Sequence, residues 1–284
     1  MAPDRELVSV IIPTRNRAAL VEEAIDSVMA QRDCVLEVIV VDDGSTDDTV
    51  ACLAARRHQW DRLRWIAQPP RGVAAARNAG VRAAAGSWLA FLDSDDLWRP
   101  GKLAAQRALH RAAPDLLISQ TNELWLRNGC RVNPCSYHRK PSGDIFLPSL
   151  ARCLVSPSAV LMHRSVFESV GGFDESLPVC EDYDLWLRVA SCVPVGLVSE
   201  PLVIKRGGHA DQLSRRYWGM DRFRVAALVK LLAADMVSGE RRRATVETLQ
   251  RKCAILAHGA ARRARVAEPP KDRASTRSPG LPGP

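Results

Sequence analysis

The sequence predicts an α/β fold, a mostly parallel sheet flanked by helices, and two observations carry that reading. Val8-Ser9-Val10-Ile11-Ile12 and Glu37-Val38-Ile39-Val40-Val41 are apolar runs of strand length without the alternation of a half-solvated strand, so both faces must be covered. Between them lies an amphipathic stretch from about Ala18 to Gln31, which gives the strand–helix–strand order of a parallel unit.

The remaining elements follow in order. Thr46-Asp47-Asp48-Thr49 opens a further helix with N-cap chemistry. Leu63-Arg64-Trp65-Ile66 is a third strand, an alanine-rich helix runs from Val73 to Ala85, and Trp88 to Leu92 is a fourth strand. A helix is suggested from Leu97 to Leu109, with Asp93 and Ser94, or Asp96, as candidate caps. Leu116-Leu117-Ile118-Ser119 and Val160-Leu161-Met162 read as strands, 128–143 as a variable loop, and Glu181 to Val189 as a helix. Two helices rich in Ala, Leu and Arg are plausible between Tyr217 and about Arg265. The stretch from Glu268 to Pro284 is proline-rich and polar, which predicts disorder.

With 284 residues, 46% of them hydrophobic, the chain has material for one catalytic domain and an appendage. The divisions read from it are a catalytic domain at 1–214, a basic helical extension at 215–266 and a tail at 267–284. No window of about 18 uncharged apolar residues occurs, and Met1-Ala2-Pro3-Asp4-Arg5-Glu6 lacks the layout of a signal peptide. A cytoplasmic protein is expected. The eight cysteines include no Cys-x-x-Cys pair, so reduced thiols are expected rather than a zinc knuckle or disulfide framework. The net charge of +8 is uneven, with 18 Lys and Arg against 7 Asp and Glu from Lys205 onward, and 22 against 25 before it. The basic part is a candidate for peripheral contact with anionic lipid at the inner face of a membrane, weighed against a solvated helix face. Nucleic acid is not an expected partner, because Arg241-Arg242-Arg243 and Arg262-Arg263 lack interleaved aromatics and match no base-reading motif.

The chemistry concentrates beyond the strand ends, where open α/β sheets bind ligands. Phe91-Leu92-Asp93-Ser94-Asp95-Asp96 drives an apolar run into three carboxylates. Groups this close repel one another, and a divalent cation such as Mg²⁺ or Mn²⁺ is the usual way to hold them ionised. In an extended Asp-x-Asp, Asp93 and Asp95 share one side while Ser94 faces away. Pro13-Thr14-Arg15-Asn16 and Asp42-Asp43-Gly44-Ser45 follow the first two strands, and Glu181-Asp182 precedes Tyr183-Asp184-Leu185-Trp186. A dinucleotide dehydrogenase is excluded by the lack of Gly-x-Gly-x-x-Gly, and a P-loop NTPase by the lack of Gly-x-x-x-x-Gly-Lys-Ser/Thr. A sugar-phosphate nucleotidyltransferase would need a glycine-rich loop where Pro13-Thr14-Arg15-Asn16 stands.

The signatures Val-Ser-Val-Ile-Ile-Pro-Thr-Arg-Asn-Arg, Val-Val-Asp-Asp-Gly-Ser-Thr-Asp, Ala-Arg-Asn-Ala-Gly and Phe-Leu-Asp-Ser-Asp-Asp, in this order, resemble a family 2 glycosyltransferase of the inverting GT-A type, from Val8 to about Ser214. That resemblance implies a GT-A nucleotide-diphospho-sugar transferase fold with a C-terminal helical extension. It implies a nucleoside diphosphate sugar donor, with UDP favoured, a divalent cation as cofactor, and a glycan or lipid-linked acceptor, as in envelope or polysaccharide synthesis. Pro13, Thr14 and Arg15 would lie against the nucleotide, and Asp43 would accept from the base imide, preferred over Asp42, which supports the Gly44 turn. Arg77 would reach the diphosphate or brace the acidic loop. Asp95 would ligate the metal directly, and Asp93 would act on it or on the ribose beside Ser94. His209, in a Gly-rich basic segment read as a lid, would add a metal or phosphate contact. Asp182 would be the general base, with Glu181 and Asp184 as candidate N-cap acids, and Gly171-Gly172-Phe173-Asp174-Glu175 a flexible loop by the acceptor. The rival reading is a degenerate nucleotide-sugar-binding or membrane-surface scaffold without turnover.

Overall fold

The computed structural model describes residues 7–31, 34–60, 62–133, 139–208 and 217–267. Its elements in chain order are β1 (Val8–Thr14), α1 (Ala18–Met29), β2 (Val35–Asp42), α2 (Thr49–Arg56), β3 (Leu63–Ala67), α3 (Val73–Ala83) and β4 (Trp88–Phe91). Then follow β5 (Leu97–Trp98), α4 (Lys102–Ala112), β6 (Ile118–Arg127), β7 (Cys130–Val132), α5 (Phe146–Ser149), β8 (Val160–His163) and α6 (Arg164–Ser169). The chain continues through α7 (Glu181–Cys192), β9 (Gly196–Gly207), α8 (Asp221–Ala233) and α9 (Gly239–Ala267). Among the described residues the strands form one sheet, ordered β3-β2-β1-β4-β8-β6-β9-β5 with β7 on β6.

The sheet is mixed. Its first four strands are parallel neighbours, as their apolar runs predict. Beyond them β8 runs antiparallel to β4 and β6, and β5 antiparallel to β9. β6 and β9 pair in parallel, and β8, which runs against both of its neighbours, is buried like β1 and β4 of the first half.

Alternate residues of β1 point to opposite faces. Val10 and Ile12 pack with Val21, Ile25 and Val28 of α1, whereas Ile11 joins Phe91, Leu185 and Leu187 on the other face. Burying a side chain of this size contributes roughly 1.5–3 kcal/mol. The alanines of α3 let it lie close to the sheet, and a Cβ on Gly80 would come 2.4 Å from Ile11 Cγ2. This brings the first turns of α3 to the carboxyl ends of β1 and β4.

Several elements depart from the sequence reading. The helix expected from Leu97 starts at Lys102, after Gly101 at φ 85, because Leu97 and Trp98 pair with Ile204 and Val203 as β5. Asp93, Ser94 and Asp96 therefore cap no helix. The loop read at 128–143 opens as a tight hairpin, with Asn128 at φ 50 and Gly129 at φ 77 turning β6 into β7. Asn-Gly is a strong two-residue hairpin signal, since both positions need positive φ.

The C-terminal helices share the main core. Ala227, Leu228 and Leu231 of α8, with Val237, pack in the same cluster as Leu185, Leu187 and Val189 of α7. Lys230 Nζ lies 2.8 Å from Asp174 Oδ2 and 2.6 Å from Asp184 Oδ1. No helix among the described residues is long and apolar enough to cross a membrane.

One buried lysine sits beneath β5. Lys102 is 0% exposed, donates to Gln106 Oε1 at 2.8 Å, and lies 4.1 Å from the Trp98 ring centre. Burial, reinforced by Lys140, pulls its ammonium pKa well below the lysine range. Between the depressed folded value and the ordinary unfolded one, the unfolded chain binds more protons, so stability rises with pH through that window. The unfolding free energy of wild type relative to Lys102→Met is expected to grow as the pH rises toward the ordinary lysine range. Urea titrations showing a constant difference over that rise would refute this.

Candidate active site

The Asp93-Asp96 turn sits directly beyond β4. Ligand oxygens of Asp93, Asp95 and Asp96 lie within 4.8 Å of one another. Ser158 holds the turn from below, its hydroxyl donating to Asp96 Oδ2 at 2.6 Å and accepting from Asp93 N at 3.1 Å. Arg206 N donates to Asp96 Oδ1 at 3.0 Å, so both oxygens of Asp96 are engaged. Burial, then repulsion from Asp93 and Asp95, pushes Asp96 up to about 7 against the pull of Lys205.

Each aspartate has a cation nearby. Arg17 Nη1 is 2.9 Å from Asp95 Oδ2, Arg77 Nη2 is 2.7 Å from Asp93 Oδ1, and Lys205 Nζ is 3.8 Å from Asp96 Oδ2. Arg77, on the alanine-rich helix, is 3% exposed and also reaches Glu181 Oε1 at 2.7 Å, tying the acidic turn to the start of α7. Burial works against its charge, but Asp93 and Glu181 outweigh this and hold it protonated. Burial also opposes ionisation of Asp93, yet Arg77 and Lys205 bring its pKa below the usual carboxylate value. Glu181 is pushed up to about 7 by burial and by Asp182. Glu181 and Asp184 are not merely capping acids: Asp184 is buried and takes Arg188 Nη2 at 2.6 Å as well as Lys230.

On the other side, Asp42 accepts from Ser45 N at 3.2 Å and so braces the Gly44 turn. Asp43 is 5% exposed, and its Oδ1 accepts from Gln68 Nε2 at 2.7 Å and Arg71 N at 2.8 Å, its Oδ2 from Gly72 N at 2.8 Å. Of the roughly four acceptor positions on a carboxylate, about one remains for a ligand. Pro13 and Thr14 are buried, Arg15 is exposed and Ser94 is buried. The Thr14 hydroxyl and Asp42 Oδ1 are buried without a hydrogen-bond partner.

Asp182 lies in the first turn of α7, behind Cys180, which takes the left-handed conformation at φ 62. Tyr183 N donates to Asp182 Oδ1 at 2.7 Å. The loop from Gly171 to Glu175, expected to be flexible, is strapped down. Asn78 exchanges hydrogen bonds with Phe173 at 2.9 and 3.0 Å, Arg188 donates to Gly172 O at 2.7 Å, and Arg71 pairs with Glu175 at 2.7 Å. Lys205 and Arg206, read as part of a lid, belong to β9, while His209 lies outside the described residues.

This ordered series of motifs, mounted on a mixed α/β sheet, matches the glycosyl transferase family 2 profile over residues 9–170. The chain belongs to glycosyl transferase family 2. Among family relatives, an uncharacterized glycosyltransferase of Rickettsia conorii is 32% identical over 74% of this chain and 35% of its own length. A chondroitin synthase of Escherichia coli is 30% identical over 66% of this chain and 27% of its own. The chain thus spans about a third of the first curated relatives it matches. Two solved GT-A structures share the fold. TarS residues 1–349 of S. aureus, in complex with UDP-GlcNAc, has a TM-score of 0.70 at 22% identity, covering 85% of this chain and 71% of that one. The mannosyltransferase PcManGT of Pyrobaculum calidifontis, in complex with GDP-Man and Mn²⁺, has a TM-score of 0.62 at 23% identity, covering 89% and 75%.

The oxygen donors of this family 2 chain fit a hard divalent cation, Mg²⁺ or Mn²⁺. Asp93 and Asp95 are half-buried, and Asp96 is committed to Ser158 and Arg206. Arg17 pairs with Oδ2 of Asp95, so a cation held there would share this carboxylate with a guanidinium. Ser158 and Arg17 were not singled out from sequence. Arg17 closes the first signature and faces the acidic turn across the strand ends, which was a usable signal, whereas nothing local marks Ser158.

Proposed function

We propose that this chain catalyses inverting, divalent-metal-dependent transfer of a sugar from a nucleoside diphosphate sugar to a hydroxyl acceptor. The observation that supports the reading is the Asp93-Arg77-Glu181 bridge, in which one buried guanidinium ties the acidic turn to Glu181, the residue before Asp182. In this reading Pro13, Thr14, Arg15, Asp43 and Ser94 surround the nucleotide, Asp95 and Asp93 face the diphosphate with the metal, and His209 joins them. The cation supplies Lewis-acid stabilisation of the departing diphosphate. Asp182 takes the acceptor hydroxyl proton as the new C–O bond forms and the anomeric carbon–phosphate oxygen bond breaks, a single displacement that inverts the centre.

Asp43 keeps about one acceptor position that suits the N–H of uracil, thymine or guanine, and of these nucleotides UDP is the one we favour. The acceptor class is a glycan or lipid-linked glycan in envelope or polysaccharide synthesis. We assign the catalytic residues to 1–214 and read 215–266 as a basic extension in sequence, packed into the same core and able to meet anionic lipid.

Calorimetric titration of UDP, dTDP and GDP with Mn²⁺, with Mg²⁺ and with EDTA tests the donor site. Tight binding of one nucleotide is expected only with metal, falling at least about tenfold in Asp95→Ala, the loss of about 1.4 kcal/mol. Metal-independent binding, or none, would move the reading to a degenerate scaffold without turnover.

A further inference from the structure

Asp182 has a neighbour that the transfer chemistry above does not use. Cys153 lies between α5 and β8, its Sγ 3.5 Å from Asp182 Oδ2 and 3.1 Å from Val155 O. Its one S–H proton has two acceptors, of which only the carboxylate is charged. The other carboxylate oxygen is already fixed by Tyr183 N. Engaged at both oxygens, the group cannot turn without losing a contact. Burial, with the charge of Asp182 beside it, raises the Cys153 thiol pKa well above the cysteine range, so it remains a donor. A thiol is a weak donor. It orients a carboxylate while taking less of its basicity than a strong donor would, because hydrogen bonds to the ionised form stabilise that form.

The segment carrying Cys153 is held from two sides. Tyr183 OH donates to Leu150 O at 2.7 Å, within α7's own neighbourhood. Lys252, from α9, donates to Ala151 O at 3.2 Å while lying 3.0 Å from Asp221 Oδ1. Lys252 is 6% exposed, so this contact belongs to the interior.

We propose that Cys153 is a positioning residue for the Asp182 carboxylate, and that Lys252 holds residues 150–153 in place, making the C-terminal helix a buttress of the base. This rests on Asp182 acting as the base.

The test compares full-length wild type with Cys153→Ala, Cys153→Ser, Lys252→Met and Asp182→Asn. The infrared S–H band missing in Cys153→Ala is expected to move to higher frequency in Asp182→Asn and in Lys252→Met, as the hydrogen bond weakens. This arm needs no substrate, so it decides the contact by itself. Nucleoside diphosphate release is then followed from UDP-GlcNAc or GDP-Man, whichever wild type turns over. In Cys153→Ala, kcat is expected to fall about three- to tenfold, the equivalent of one hydrogen bond, with the donor KM unchanged. The acid limb of its pH profile moves to higher pH, and Cys153→Ser recovers part of the rate. A band that ignores Asp182, or kcat losses that merely track the thermal midpoint with the pH profile in place, would overturn the proposal. Full turnover in Asp182→Asn overturns the base and the proposal together. Wild-type turnover in Cys153→Ala beside an inactive Asp182→Asn overturns the proposal alone.

Discussion

Asp182→Asn is expected to lower sugar transfer by at least about a hundredfold, within the range of a lost general base, while nucleotide affinity stays within about twofold, less than the worth of one hydrogen bond. The amide keeps the size of the carboxylate and can still accept from Tyr183 N, so the turn survives. It cannot take the acceptor proton. The substitution also removes the charge that helps push Glu181 up to about 7, so Glu181 ionises more readily and pairs more firmly with Arg77. Transfer rates and nucleotide calorimetry on the same preparation check this. A variant that turns over at the wild-type rate would end the assignment.

Arg77→Met is expected to destabilise the protein by about 3–5 kcal/mol, the usual cost of breaking a buried ion pair from one side. Methionine restores much of the apolar stem and its packing near Phe173, whose ring centre lies 5.1 Å from the guanidinium. What it cannot restore is compensation for Asp93 and Glu181. Adding Glu181→Gln should return part of the loss, because one stranded carboxylate becomes neutral. Urea unfolding of the single and double variants gives both numbers. A loss below about 1 kcal/mol would mean the bridge behaves like a solvated surface pair.

The parallel half of the sheet was legible because β1, β2 and β4 are buried on both faces and read as unbroken apolar runs. β9 was not, since Gly196–Gly207 mixes Ser199, Glu200, Pro201 and Lys205 with only scattered apolar residues. Its partner β5 was misread as the start of a helix for the same reason, because Leu97 and Trp98 are strand only through pairing with a segment a hundred residues away. At the site, the acidic turn and Arg77 were visible as residue types at strand ends. The sequence does not show that Asp43 is already engaged by Gln68, Arg71 and Gly72, since three donors from one later loop have no signature of their own. Asp96 read as a cap for want of any sign that Ser158, 62 residues on, would claim it.

The packing of α8 against α7 bears on how this molecule melts. Leu228 and Leu231 lie in one apolar cluster with Leu185 and Phe91, and Lys230 joins two acids from separate segments of the catalytic body. A border drawn along the chain near residue 214 therefore does not coincide with a border in the packing. Local opening of α8 would expose the same interior that supports β4 and the acidic turn, so these parts belong to one cooperative unit rather than to a core and a detachable arm.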